Sequence, residues 1–263
     1  MVSYQELVLD NFISKTTSLS LCTKGVKVQE NQHFITIDSG FPSDTFNVLV
    51  PLRTLPSTSE DKFKQAVSSF INKGFPLSVW IDERFLTDET VVWLYNLGLN
   101  EAERNVTMKL DDKSIQSISP LSSNLLDIRQ VTDVEDIRIY AEVFQSLFKG
   151  SSEYEALALF FENLAANFVP HQKVYNWFIG FYEEQAVSTG CIIESDGSYG
   201  IYDVMTKQEF RGRGFGSMMF QFLLHQIKGE QKGKPCVLQA SQDGINIYKR
   251  AGFTEVGEMV VFE

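Results

Sequence analysis

The chain has 263 residues, 43% of them hydrophobic and 13% aromatic, and a formal net charge of −11. This length and apolar content suffice for a large core and favour two domains. The acidic balance argues against nucleic acid as a partner, because binding phosphates requires a basic surface, and it is compatible with an amine substrate. Apolar runs of about eighteen residues, which a membrane span requires, are absent from the sequence.

The residue types that hold metals or form disulfides are sparse and scattered. The first six residues lack the basic flank and apolar core of a signal peptide, so a cytoplasmic location is expected. Three cysteines in apolar segments are expected to be buried free thiols: Cys22, Cys191 and Cys236. The histidines show no ligand spacing, so no metal site is expected: His33, His171 and His225.

The first half of the chain combines short helix and strand patterns. Apolar periodicity predicts helices over 5–18, 60–73 and 88–97 and strands over 33–37, 45–50, 77–81 and 106–110. A serine-rich stretch with Pro120 follows at 114–124 and is typical of a linker. The sequence therefore predicts one domain over 1–120 and a second over 125–263.

The second half has a longer series of elements. Its predicted helices cover 133–145 (with Thr132 as cap and Glu135 completing a capping box), 153–168 (with Ser151 and Ser152 as caps), 217–228 and 243–251. Its predicted strands cover 126–131, 174–182, 185–193, 199–206, 235–241 and 259–262, with a hairpin turn at Glu183-Glu184.

The most informative segment lies between the strand 199–206 and the helix 217–228. Three glycines alternate with arginines and an aromatic residue over 210–217. Glycine lets a ligand approach the backbone closely, and the turn aims several N–H groups at one point beside the positive end of a helix dipole. Arg211 and Arg213 add charges that pair with phosphate oxygens. The segment predicts a phosphate or pyrophosphate site.

Three alternatives compete for this segment. A Rossmann fingerprint starting at Gly212 would need a third glycine where Ser217 stands, and a Walker loop would need a Gly-Lys-Ser/Thr ending that is absent. A tight turn without a ligand is the third alternative. The spacing Arg211, Gly214, Gly216 fits Arg-x-x-Gly-x-Gly on a strand–turn–helix, and it resembles the coenzyme A loop of the GNAT superfamily of N-acetyltransferases.

A second motif strengthens the resemblance. The strand 235–241 is followed by a short helix in which Tyr248 stands four residues before Gly252-Phe253. This segment is similar to the second GNAT motif, and the two motifs occur in the family order. The resemblance covers roughly residues 125–263. A weaker one in the first half is similar to the degenerate half of tandem GNAT proteins, with an unrelated α/β extension as the alternative.

The resemblance implies a mixed α/β (α+β) fold: a central, mostly antiparallel twisted sheet flanked by helices, preceded by a smaller GNAT-like α/β half. It also implies acetyl-CoA as cofactor. The backbone of one strand end would hydrogen-bond the pantetheine arm: Val204, Met205 and Thr206. The glycine-rich loop would hold the pyrophosphate: Arg211, Gly212, Arg213, Gly214, Phe215, Gly216 and Ser217. Ser241 stands where many members have a coenzyme-contacting asparagine, so its role rests on a departure from the pattern.

Two residues are the candidates for proton transfer. The resemblance assigns Tyr248 as general acid for the leaving thiolate, and a phenol with a pKa near ~10 is protonated at neutral pH. Asp203 is the candidate general base, since Glu183 and Glu194 are expected to be solvent-facing charges. The predicted activity is direct acetyl transfer to an amine on a small molecule or peptide.

The alternative is an inactive coenzyme-A-binding sensor or scaffold. The resemblance to tandem proteins favours a monomer, because the first half would replace a dimer partner, and a dimer is the other possibility. Nucleic acid and membranes are not expected as partners.

Overall fold

The computed structural model describes residues 2–118, 125–168, 175–230, 232–242 and 244–263. The centre of the expected linker with Pro120, and also His171, Val174 and Asp243, lie outside the described residues. The expected division into domains at 120–125 therefore stays a prediction.

The described residues form eight α-helices and one eleven-stranded sheet. The helices are α1 (Tyr4–Cys22), α2 (Glu60–Ile71), α3 (Asp88–Asn96), α4 (Asp112–Gln116), α5 (Val134–Gln145), α6 (Tyr154–Ala166), α7 (Phe215–Glu230) and α8 (Ile245–Arg250). The strands are β1 (Lys27–Glu30), β2 (Phe34–Asp38), β3 (Val48–Pro51), β4 (Ser78–Asp82), β5 (Glu101–Leu110), β6 (Asp127–Gln130), β7 (Tyr175–Tyr182), β8 (Gln185–Glu194), β9 (Tyr199–Thr206), β10 (Cys236–Ala240) and β11 (Thr254–Phe262).

Most predicted elements are present, and the differences have local causes. β1 and the first four residues of β5 are exposed and polar, so apolar alternation could not mark them. α4 forms inside the stretch expected to be a linker. α5 is capped by Asp133, which accepts from the Asp136 backbone N–H, while Thr132 donates its hydroxyl to the Asp136 side chain.

The sheet confirms the expected mixed, mostly antiparallel fold. Its strand order is β1-β2-β3-β4-β11-β5-β10-β9-β8-β7-β6. Only the β3–β4 and β9–β10 neighbours run parallel in this described sheet. The β7–β8 hairpin turns at Glu183 and Glu184, which both have positive φ, as a tight two-residue turn requires.

Strands from the two halves of the chain alternate at the centre of the sheet. β5, from the first half, pairs with β10 on one side and β11 on the other. β11, the last strand in sequence order, pairs with β4 of the first half. The two halves therefore share one continuous sheet.

Helix α1 of the first half packs against the strands that carry the candidate site. Asn11 is fully buried, and its side-chain amide donates to the carbonyls of Ile193 and Ser198 at 3.3 and 3.2 Å. Its Oδ1 accepts from the Tyr202 hydroxyl at 3.0 Å. A Cβ on Gly200 would lie 1.9 Å from that Oδ1, so the helix and β9 approach each other as closely as glycine allows.

Candidate active site

A β-bulge interrupts β9 at Asp203. Thr189 pairs with Met205 and Cys191 with Tyr202, so Gly190 alone faces two residues of β9. Asp203 has φ +54°, a rare conformation for a residue with a side chain, and its carbonyl accepts from the Thr189 hydroxyl at 3.0 Å. A bulge bends the strand and re-aims its side chains.

The strands β9 and β10 diverge beside this bulge. Their parallel pairing consists of Cys236 with Tyr199 and Val237 with Gly200. Beyond Gly200, β10 continues to pair with β5, while β9 turns away. The edge of β9 that faces β10 is therefore open from Ile201 to Thr206, and its backbone groups are available to an added chain.

The glycine-rich loop sits at the end of this open edge. Gly212 and Gly214 have φ of +77° and +85°, which explains why glycine occupies both positions. The Met218 N–H donates to the Gly214 carbonyl, so α7 begins immediately after Gly214. The N–H groups of 215–217 consequently lack acceptors within the helix and carry the positive end of its dipole.

The loop contacts the end of β9 directly. A Cβ on Gly216 would lie 3.4 Å from the Thr206 hydroxyl, and the Arg211 Nε donates to the Thr206 carbonyl at 3.3 Å. Arg211 and Arg213 are exposed, and the Arg213 guanidinium lies 5.3 Å from the centre of the Phe210 ring. The predicted pyrophosphate loop and the predicted pantetheine strand thus meet.

Tyr248 lies on α8 and packs on α7. Its ring meets the Phe220 ring edge-on at 4.8 Å, and a Cβ on Gly244 would lie 3.0 Å from it. Burial raises the pKa of Tyr248, so the phenol stays protonated at neutral pH. Ser241 is exposed at the end of β10, where its carbonyl accepts from the Gly244 and Ile245 N–H groups.

A cavity of about 600 Å³ joins the predicted catalytic residues to the first half of the chain. Tyr248, Asp203, Val204 and Met205 line it, together with side chains of α1, α5, α6, β4 and β5. The cavity therefore brings Tyr248 and Asp203 to one space. The loop 211–217 and Ser241 lie outside the lining.

Asp203 does not stand alone in the cavity wall. Lys15 of α1 forms a 3.1 Å ion pair with its Oδ1, and the Tyr140 hydroxyl donates to its Oδ2 at 3.3 Å. The Lys15 ammonium also lies 4.7 Å from the centre of the Tyr202 ring. Burial, followed by the Asp203 charge, raises the pKa of Tyr140. Sequence reasoning missed Lys15, because no motif surrounds it.

Four acidic side chains from distant segments lie near one another at another part of the cavity, three in its lining and Glu153 buried beside Asp44. We call them the acidic rim: Asp44, Glu103, Glu153 and Glu263. Glu153 is buried and accepts from the Asp44 backbone N–H at 2.5 Å and from the Thr45 hydroxyl at 2.9 Å. Burial and the neighbouring Glu153 raise the pKa of Asp44 to about 8. Burial and the charge of Glu103 raise the pKa of Glu263.

The cysteines are free and buried, as expected from the sequence. Burial raises the pKa of each thiol, which makes a nucleophilic thiolate unfavourable. Within the described ranges, no group of three or more His, Cys, Asp or Glu side chains is arranged to hold a metal ion. None of the described helices combines the length and apolarity that crossing a membrane demands.

Comparison with known proteins agrees with this geometry. The family model described as an acetyltransferase (GNAT) domain matches residues 173–255. No curated protein matches the sequence at a significant level.

Solved structures match the fold over nearly the whole chain. A GCN5-related N-acetyltransferase from Kribbella flavida aligns with a TM-score of 0.67 and 14% identity, covering 96% of this chain and 94% of its own. A GCN5-related N-acetyltransferase from Sphaerobacter thermophilus aligns with a TM-score of 0.57 and 14% identity, and the alignment covers 91% of this chain and 82% of that protein. A tandem GNAT protein from the clavulanic acid biosynthesis pathway aligns with a TM-score of 0.57 and 10% identity, and the alignment covers 96% of this chain and 86% of that protein.

The strand-to-helix loop, the diverging strands and the domain match agree with one another. Residues 173–255 match the acetyltransferase (GNAT) domain model, and over nearly the whole chain the fold is the one seen in the GCN5-related N-acetyltransferases and the tandem GNAT protein.

Proposed function

We propose that the protein is an acetyl-CoA-dependent N-acetyltransferase that transfers an acetyl group directly to an amine. The observation that carries the proposal is the open edge of β9, which runs from a cavity containing Tyr248 to the unpartnered N–H groups at the start of α7. An extended arm and a pyrophosphate are the two parts of coenzyme A that such an arrangement fits.

The residues present fit this cofactor. The backbone of Val204, Met205 and Thr206 offers hydrogen bonds to an amide-bearing arm along the open edge. The loop supplies N–H groups, two exposed arginines and glycines that leave space beside the backbone. Ser241 contributes through its exposed position next to α8, and its assignment depends on the family resemblance.

Acetyl-CoA, when bound, supplies an acyl group activated as a thioester. In our proposal a backbone N–H of the bulged strand end polarises the acyl carbonyl. Tyr248 gives the proton that the departing sulfur takes up, and Asp203 takes the proton that the attacking amine loses. A carbon–nitrogen bond forms as the carbon–sulfur bond breaks, so neither a metal nor a covalent enzyme intermediate is needed.

The alternative function is a coenzyme A sensor or scaffold without catalysis. Such a protein would not need a phenol at the cavity wall, and the position of Tyr248 there favours the enzyme. We further infer a cytoplasmic monomer with domains over 1–120 and 125–263. The free thiols support the location, and the strands shared between halves support the monomer.

Calorimetric titration with acetyl-CoA tests cofactor binding. Gly216→Val places a branched side chain between α7 and Thr206, whereas Gly229→Val, in the same helix, adds its side chain to open space. We expect the first variant to weaken binding at least about tenfold and the second to bind like the parent. Equal binding by both variants would contradict the site.

Turnover with an amine acceptor tests the chemistry. Tyr248→Phe should retain acetyl-CoA binding and lower kcat by about 10²-fold. Tyr95→Phe, on an exposed tyrosine, is the matched control. A Tyr248→Phe variant that binds acetyl-CoA and keeps the kcat of the parent would rule out the general-acid role. A parent protein that binds acetyl-CoA but acetylates no amine would support the sensor.

A further inference from the structure

The cavity reaches well beyond the residues proposed for acetyl transfer. Its lining extends from β9 and β10 across β5 to β4 and to Glu263, which follows β11. β9 and β11 are three positions apart in the sheet, which is about 14 Å at ~4.8 Å between neighbouring strands. The space is therefore long enough for an acceptor whose far end is recognised separately.

The far part of the cavity is lined by acidic side chains that have no basic partner among the described residues. The acidic and basic residues of the lining are Lys15, Asp44, Glu103, Asp203 and Glu263. Lys15 is already paired with Asp203. Among the described residues no lysine, arginine or histidine forms an ion pair with any member of the acidic rim. Crowded carboxylates repel one another, and a cation placed between them would remove that cost.

Aromatic walls connect the two parts of the cavity. Phe46 and Phe160 stack with ring centres 3.7 Å apart, and Phe144 and Trp80 also line the space. Such walls favour an alkyl or aromatic body, and their ring faces attract cations.

A residue of the cavity lining carries an unsatisfied hydrogen-bond donor. Gln239 of β10 belongs to the lining, and its side-chain Nε2 is buried without a hydrogen-bond partner among the described residues. A buried donor without an acceptor is unfavourable, and a ligand oxygen within reach of Nε2 would remove that cost. An acyl carbonyl is such an oxygen.

Building on the proposed function, we propose that the acceptor is a small molecule with two cationic amines separated by an apolar body. The acidic rim holds one amine as a cation, and the aromatic walls hold the body. The second amine then lies on the side of the cavity where Tyr248 and Asp203 are found. A carboxylate-bearing acceptor, such as a free amino acid, is disfavoured by the same charges.

Binding of model amines to the protein without acetyl-CoA tests this acceptor class. The probes are α,ω-diaminoalkanes of four to ten carbons and the monoamines of matching length, titrated by calorimetry. We expect the best diamine to bind at least tenfold more tightly than its monoamine, with a preference that falls as salt is added. Equal affinity for the two would overturn the proposal.

Charge-neutral variants locate the contact. The double variant Asp44→Asn with Glu263→Gln should lose the diamine preference, whereas Asp61→Asn with Glu155→Gln removes two exposed, unpaired carboxylates and should keep it. A preference kept by the rim variant would also overturn the proposal. The acetyl-CoA titration is independent: a protein that binds the cofactor and acetylates monoamines and diamines alike refutes only the acceptor class.

Discussion

Lys15 and Asp203 form a 3.1 Å ion pair although they are 188 positions apart in the chain. The carboxylate belongs to the bulge in β9, and the ammonium belongs to α1 in the first half of the chain. The first half thus contributes a side chain to the wall of the candidate active site.

Lys15→Met tests this contribution. Asp203 would keep only its hydrogen bond from Tyr140, and its charge would lie in a largely buried position without a cation. We expect the free energy of unfolding to fall by about 1–2 kcal/mol and kcat to fall at least about tenfold. Urea denaturation and steady-state kinetics measure the two effects. Lys62→Met, on an exposed lysine of α2, is the control, and a kcat within twofold of the parent would show that the pair is dispensable.

Asn11→Leu should destabilise the contact between α1 and the second half. The change keeps the number of side-chain heavy atoms, but it removes the hydrogen bonds of Asn11 with the Tyr202 hydroxyl and the carbonyls of Ile193 and Ser198. We expect a loss of about 3 kcal/mol, seen as a Tm lower by roughly 10 °C. Asn96→Leu, at an exposed position of α3, should change Tm little. A similar small change for Asn11→Leu would mean that water replaces the lost bonds.

Gly190→Ala should disturb the packing of α7 on the bulge. A Cβ there would lie 2.7 Å from Leu223 and 3.0 Å from Met219, and both side chains are fully buried. We expect a loss of about 1–3 kcal/mol in the free energy of unfolding, together with weaker acetyl-CoA binding, because the helix N-terminus must shift. Gly229→Ala in the same helix should be neutral or stabilising. Unchanged stability in Gly190→Ala would show that α7 accommodates the methyl group.

Stability should depend on pH through Asp44. Its pKa is about 8 in the folded protein, above the ordinary value of 3.8, because of burial and the nearby Glu153. Between these values the folded state holds a proton that the unfolded state has lost, so the free energy of unfolding falls as pH rises from about 4 to about 8. Asp44→Asn should flatten this decline, and Asp61→Asn should leave it intact. Chemical denaturation at several pH values measures how the free energy of unfolding depends on pH. A slope in Asp44→Asn equal to that of the parent would show that Asp44 is not the cause of the decline.

The glycine-rich loop between β9 and α7 could be predicted from sequence because its requirements are local. Positive φ at Gly212 and Gly214 demands glycine, and the strand before them and the helix after them each show their own periodicity. Tyr248 is marked in the same way by its spacing from Gly252. These positions carry their signals within about forty residues.

The acidic rim of the cavity could not be predicted because its residues come together only through tertiary structure. Asp44, Glu153 and Glu263 belong to three distant segments, and each resembles an ordinary surface charge in the sequence. The pairing of β5 with β10 and β11 has the same origin, since strand order depends on contacts across the whole chain. Local propensity contains no information on these side-chain contacts or on the strand order.

The position of β11 between β4 and β5 has a consequence for biosynthesis. Until the ribosome has released this strand, β4 and β5 lack the neighbour that joins them, so the first half cannot complete its sheet while the second is still being made. Pairing between segments so far apart also slows folding, because a long loop must close before the contacts form. We therefore expect nascent chains to expose the edges of β4 and β5 until β11 has left the ribosome, and chaperones would protect these edges during that interval.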